Sequence, residues 1–123
     1  MQLTLHLAKV GMSEKERYIN LIESLKRKAA EILPKGSQVA LYGSRARGEA
    51  KSDSDWDIHI LIPGEEKIAL SLWDQYAWPF TDEGMMLGEI VNPRLYSYAG
   101  WERRSFLPFY KNVEKDKVIF FNN

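Results

Sequence analysis

Two carboxylates, Asp55 and Asp57, stand two residues apart, shortly after a glycine–serine turn at Gly43-Ser44. In an extended chain, residues i and i+2 project to one side, so the two acids lie together, with His59 further along the same face. Their like charges repel unless a cation sits between them. Mg²⁺ suits such a donor set, because it takes one or two carboxylates and lets substrate phosphates fill the rest of its octahedron. The turn offers the complementary half. Backbone N–H groups left free at a helix start attract phosphate, and a glycine lets that phosphate come close. Together the two halves describe a site for a metal–nucleotide complex.

Two commoner phosphate or metal motifs do not fit. In an EF-hand loop beginning at Asp53, the sixth position would be Ile58 rather than glycine and the twelfth Gly64 rather than glutamate. A Walker loop needs Gly-Lys-Ser/Thr at a set distance from the first glycine, and nothing after Gly43 supplies it. Taken alone, a Gly-Ser pair is an ordinary turn and an acidic cluster an ordinary solvated loop. It is their order along the chain that carries the signal.

Gly43-Ser44-Arg45-Ala46-Arg47-Gly48, then Ser54-Asp55-x-Asp57, resembles the signature of the minimal nucleotidyltransferases of the DNA polymerase β-like superfamily, the catalytic-domain type that includes kanamycin nucleotidyltransferase. The matching block covers residues 39–62 and the rest fits more loosely. The resemblance implies an α/β (α+β) nucleotidyltransferase fold: one domain with a mixed β-sheet flanked by helices. It implies transfer of a nucleoside monophosphate from a nucleoside triphosphate, ATP first among them, to an acceptor hydroxyl. One or two Mg²⁺ ions would be held by Asp55 and Asp57, with Mn²⁺ as a substitute. Gly43, Ser44, Arg45, Arg47 and Ser54 would bind the nucleotide phosphates. The family places a third acid, usually aspartate, on the strand beside the Asp pair. Glu89 is the candidate here, as general base or outer metal ligand, with Glu83 in reserve and a salt bridge from Glu89 to an arginine such as Arg94 as the plain alternative. Small members of the group are often encoded beside a helical HEPN-type partner, which gives a second reading: an antitoxin-like or non-catalytic module. A tRNA acceptor and a homo-oligomer are further expectations of the same kind.

The positioning elements follow from pattern. Val39–Tyr42 is a short apolar run between Ser37 and Gly43, as a buried strand requires. Ser44 is expected to cap a helical turn that Gly48 ends. Residues 56–62 form a second strand whose Trp56, Ile58, Ile60 and Ile62 face the core. Upstream, Ser13-Glu14-Lys15-Glu16 has capping-box spacing, opening a helix to about Leu33 with a Tyr18, Ile22, Leu25, Ala29 stripe; Pro34 and Gly36 stop it. Lys67–Phe80 reads as one helix, whose Trp73, Tyr76, Trp78 and Phe80 suit a core or an oligomer interface better than a base-stacking surface. Leu87–Val91 reads as a third strand ended by Asn92-Pro93. Residues 1–12 alternate as an edge strand or arm, 13–92 form the catalytic core, and 94–123 supply helical turns, begun by Ser97 and Pro108, and a terminal strand at Val118–Phe121.

Composition bounds the rest. At 123 residues the chain makes one domain, and seventeen basic residues against seventeen acidic ones leave no global charge for nucleic acid. The absence of cysteine excludes disulfides and thiolate metal sites. No long apolar stretch or signal-peptide pattern appears, so the expectation is a soluble cytoplasmic protein with no membrane partner.

Overall fold

The computed structural model describes residues 11–64 and 67–123, and the alternating segment at residues 1–10 lies outside them. Along the described chain run α1 (Glu14–Ile32), β1 (Gln38–Tyr42), α2 (Ser44–Arg47), β2 (Trp56–Ile62), α3 (Leu70–Tyr76), α4 (Trp78–Met86), β3 (Val91–Ser97), α5 (Tyr98–Glu102), α6 (Pro108–Asp116) and β4 (Val118–Asn122). The strands form one mixed sheet in the order β3-β2-β1-β4. β1 is antiparallel to both β2 and β4, whereas β2 and β3 run parallel and are joined by the crossover through α3 and α4. This is the α+β, mixed-sheet single domain that the sequence implied.

Period-2 alternation in β2 divides the molecule into two layers. Trp56, Ile58, Ile60 and Ile62 face a large core with Leu21, Leu25 and Ala29 of α1, Ala77 and Phe80 beside α4, and Val91 and Leu95 of β3. The other face carries Asp57, His59 and Leu61. There a smaller cluster of Leu61, Trp101 and Val113 packs with Tyr42, Tyr96 and Tyr110, so α5 and α6 cover that face away from the acids.

Helix α1 opens with both bonds of the expected capping box, between Ser13 and Glu16. Its buried stripe is rotated from the expected one: Arg17, Leu21, Ser24, Leu25 and Ala29 face inward, while Tyr18 stays exposed. Residues 67–80 are not one helix. The chain breaks at Ala77 between α3 and α4, with Pro79 in the first turn of α4. A proline inside a continuous helix would lose a hydrogen bond and clash with the carbonyl four residues back, whereas in a first turn it costs nothing.

The third strand also differs. Leu87–Glu89 form the turn that closes α4, with the Glu89 N–H bonded to the Gly84 carbonyl, and β3 starts only at Val91. Asn92 and Pro93 therefore lie inside the strand rather than ending it, and the division expected at residues 92–94 falls within a strand. Pro93 is tolerated because, among the described residues, β3 is a sheet edge, where the missing N–H leaves no partner unpaired. Ser97 caps α5 through a bond from the Gly100 N–H, Pro108 opens α6, and β4 closes the sheet, as the sequence indicated. Among the described residues no helix is long and apolar enough to cross a membrane.

Candidate active site

Asp57 is the second residue of β2, paired with Tyr42 of β1 on one side and with Asn92 of β3 on the other. Asp55 precedes the strand. The Trp56 N–H between the two acids bonds to the Ile90 carbonyl at 2.8 Å, which fixes where β2 begins. Both carboxylates converge on one donor: the Asn92 amide nitrogen lies 2.9 Å from Asp55 Oδ2 and 3.5 Å from Asp57 Oδ1. The two acids are thus brought together at the exposed end of the sheet, as the i, i+2 spacing requires.

The phosphate turn abuts the same pair. Gly43 has φ +75°, and a Cβ built on it would lie 2.7 Å from Asp57 Oδ2. Glycine alone allows this backbone to pass so close to the acid. Gly43 itself is the N-cap of α2 and Ser44 its first residue, so the expected cap at Ser44 is displaced by one position. Gly48, in the left-handed region, ends the turn. Burial raises the Tyr42 phenol above its ordinary value and the Asp57 charge raises it further, with Arg94 opposing.

Two arginines of the signature are engaged elsewhere. Arg45 turns to the opposite side of β2: it stacks on the Trp56 ring at 4.0 Å and donates to the Ser54 carbonyl at 2.8 Å. It braces the loop that delivers Asp55 rather than facing the phosphate turn. Arg47 pairs with Glu49 at 2.7 Å and Asp116 at 3.1 Å, tying α2 to the end of α6. The Ser54 hydroxyl accepts from the Lys51 N–H and shapes the same loop.

Glu89 is not brought to the pair. It is buried on the Trp56 side of the sheet, where Arg17 grips it through Nε and a terminal nitrogen at 2.9 and 3.1 Å and Trp56 Nε1 donates at 3.1 Å. In the structure Glu89, expected as metal ligand or base, stands instead in a buried ion pair, with Arg17 rather than Arg94 as partner. An acid among apolar neighbours has found the partner it needs. Glu83, the reserve, accepts from the Ser24 hydroxyl at 2.6 Å and joins α1 to α4. The residue that does stand beside the acids is Asn92. Its signal was present in the alternation Asn92, Arg94, Tyr96 against Val91, Pro93, Leu95, but the Asn-Pro pair suggested a strand end. His59, two residues beyond Asp57, is fully buried among Tyr42, Tyr96 and Trp101 and does not reach the pair.

Two oxygen-donor carboxylates within reach of a single amide fit a Mg²⁺ ion that takes its remaining ligands from phosphate and water. Among the described residues no group of three or more His, Cys, Asp or Glu side chains gathers around a metal position.

Comparison with known proteins bears on the fold and the family. Among solved structures, a candidate nucleotidyltransferase from Sulfolobus solfataricus superposes with a TM-score of 0.55 at 21% identity, covering 93% of each chain. A toxin–antitoxin structure with AMP-PNP gives the same TM-score, 0.55, at 16% identity over 83% of this chain and 73% of the other. At such identities the likeness is one of fold. No curated protein matches the sequence. The sequence profile of the nucleotidyltransferase domain matches residues 20–120, and with the glycine turn and acid pair both inside that span, the chain belongs to the nucleotidyltransferase domain family.

Proposed function

We propose that this chain is a Mg²⁺-dependent transferase that moves a nucleoside monophosphate from a nucleoside triphosphate, with ATP as the expected donor, to an acceptor hydroxyl. One observation carries the reading: the Asp55 and Asp57 carboxylates converge on one amide while the Gly43 turn presses against the second of them. Asp55 and Asp57 are the residues that would hold Mg²⁺. The ion, when bound, would offset charge on the entering and leaving phosphate oxygens. The backbone at Gly43-Ser44 and the Ser44 hydroxyl would orient the triphosphate tail for in-line displacement. Arg47 could reach the departing pyrophosphate only by giving up Glu49 and Asp116, and Arg45 would act at one remove by fixing the loop before Asp55. The test is titration of Asp55→Asn/Asp57→Asn with Mg²⁺–ATP. Binding should weaken by about 10-fold or more, since each carboxylate removed takes a charged metal ligand with it. Binding as tight as the parent's would end the proposal.

A second reading keeps the nucleotide site and changes the role, and Asn92 favours it. The strand beside the Asp pair carries an amide where the resemblance implies an acid, and among the described residues no third carboxylate joins the pair to take the acceptor's proton. In this reading the chain is an antitoxin-like module acting with a helical HEPN-type partner, in keeping with its likeness to a toxin–antitoxin structure. Co-purification with such a partner, without turnover on small hydroxylated acceptors or tRNA, would favour it. Labelling of a small acceptor or tRNA by the isolated chain would reject it.

A further inference from the structure

Asp57 of the acid pair opens onto a cavity of about 350 Å³ lined also by Tyr42, Trp73, Trp78, Asn92, Pro93 and Arg94. We propose that this cavity receives the nucleoside of the bound nucleotide, with its base held against Trp73 and Trp78. The inference rests on the nucleotide site described above and specifies its other half.

Position is the first argument. Gly43 continues from β1, whereas Asn92 and Arg94 belong to β3, and β2 with Asp57 lies between those strands. A molecule whose phosphates rest on the Gly43 turn and whose α-phosphate lies at Asp57 still has a nucleoside to place. The cavity takes in Tyr42, just before the turn, and Asp57, and reaches Asn92 and Arg94 of β3. Its volume falls within the ~300–1,000 Å³ of small-molecule sites, and its lining has their usual character of aromatic walls with a few polar groups.

The second argument is how the two tryptophans come to share it. Five residues apart on an uninterrupted helix, positions 73 and 78 would be rotated by about 140° and would face different surroundings. The break at Ala77 removes that constraint, and the rings end 5.3 Å apart, centroid to centroid, at 42° to each other. Trp78 keeps 47% of its surface exposed although α4 has a core face available at Phe80. A half-exposed ring lining the same cavity as Asp57 offers a base a face to stack on beside its Trp73 neighbour, and base–aromatic stacking is indifferent to which base supplies the π-face. Arg94 also lines the cavity and brings a planar guanidinium to it.

The experiment compares two ligands of the same phosphate site. The full chain is titrated calorimetrically with Mg²⁺–tripolyphosphate, which has no nucleoside, and with Mg²⁺–AMP-PNP, while tryptophan fluorescence is followed. AMP-PNP should bind about 10-fold or more tightly than tripolyphosphate and quench the fluorescence. Trp78→Ala, at an exposed position, and Trp73→Leu, which keeps apolar bulk, should each remove most of that advantage and leave tripolyphosphate affinity unchanged. Equal affinity for the two ligands, or variants that weaken both alike, would overturn the inference while leaving the metal–phosphate site standing. Binding of neither ligand would overturn the site and the inference together.

Discussion

At the scale of single residues, the acid pair was legible because its geometry is set by the chain itself. Period 2 puts Asp55 and Asp57 on one side wherever the strand lies. Their neighbour was not, because it depends on where β3 starts. A shift of the strand by a few positions carries Glu89 out of the site and brings Asn92 in, in register with Asp57. An amide satisfies two carboxylates by donating to both without adding charge, so Asn92 stabilises the pair before any cation arrives. Asn92→Asp should reverse that balance. Three carboxylates would repel in the metal-free protein and lower its melting temperature, while Mn²⁺, read by electron paramagnetic resonance, should bind about 10-fold or more tightly. Saturating Mg²⁺ should restore the lost stability. Unchanged Mn²⁺ affinity would place the Asn92 side chain outside the ion's reach.

At the scale of elements, strand and helix types were read correctly for most of the chain, and the two misplaced boundaries share one cause. Pro79 and Pro93 were read as helix interior and strand end, whereas tertiary context makes them a helix start and an edge-strand residue. A proline excludes conformations, but only its neighbours decide which of the remaining ones is used. The partner of Glu89 was equally hidden, since Arg17 lies 72 residues away in sequence. That pair joins four elements. Arg17 reaches from α1 to Glu89 and to the Ser52 carbonyl at 2.8 Å, and Trp56 bonds the same carboxylate from the first residue of β2. The loop that presents Asp55 is thereby tied to α1 and to the turn before β3. Glu89→Gln removes the buried countercharge of Arg17 and leaves it the exposed Glu14 carboxylate at 2.8 Å, so the loss should approach but not exceed the ~3–5 kcal/mol of a fully broken buried pair. Chemical denaturation should show that loss. A loss below about 1 kcal/mol would mean the pair contributes little in place. Replacing both partners, as in Arg17→Met with Glu89→Leu, should recover much of it.

At the scale of the whole molecule, helices pack on both faces of the sheet, and its acid-bearing end is left open. Composition and periodicity announced the large core under α1 and α4, but they did not announce that residues 98–116 would fold back over the second face. That cover explains His59, which was expected on a partly open acid face and is instead fully buried, 4.1 Å from the Trp101 ring between centroids. Neither ring nitrogen has a hydrogen-bond partner among the described residues. Burial lowers its pKa from 6.5 to about 4, the Lys117 charge lowering it further and Glu114 opposing. The sign follows from linkage. Between those two values the unfolded chain binds the proton and the folded chain does not, so stability is full above pH 6.5 and drains as pH falls toward 4. A shift of this size corresponds to about 3 kcal/mol at its largest. His59→Phe keeps the ring among Tyr42, Tyr96 and Trp101 and removes the proton site. Denaturation midpoints measured from pH 7 to pH 4 should therefore fall more steeply for the parent than for this variant, and converging curves at pH 7 should separate as His59 is forced to charge. Parallel curves across that range would show that the C-terminal cover opens readily enough to solvate the imidazole, and the second face would then be a lid rather than a core.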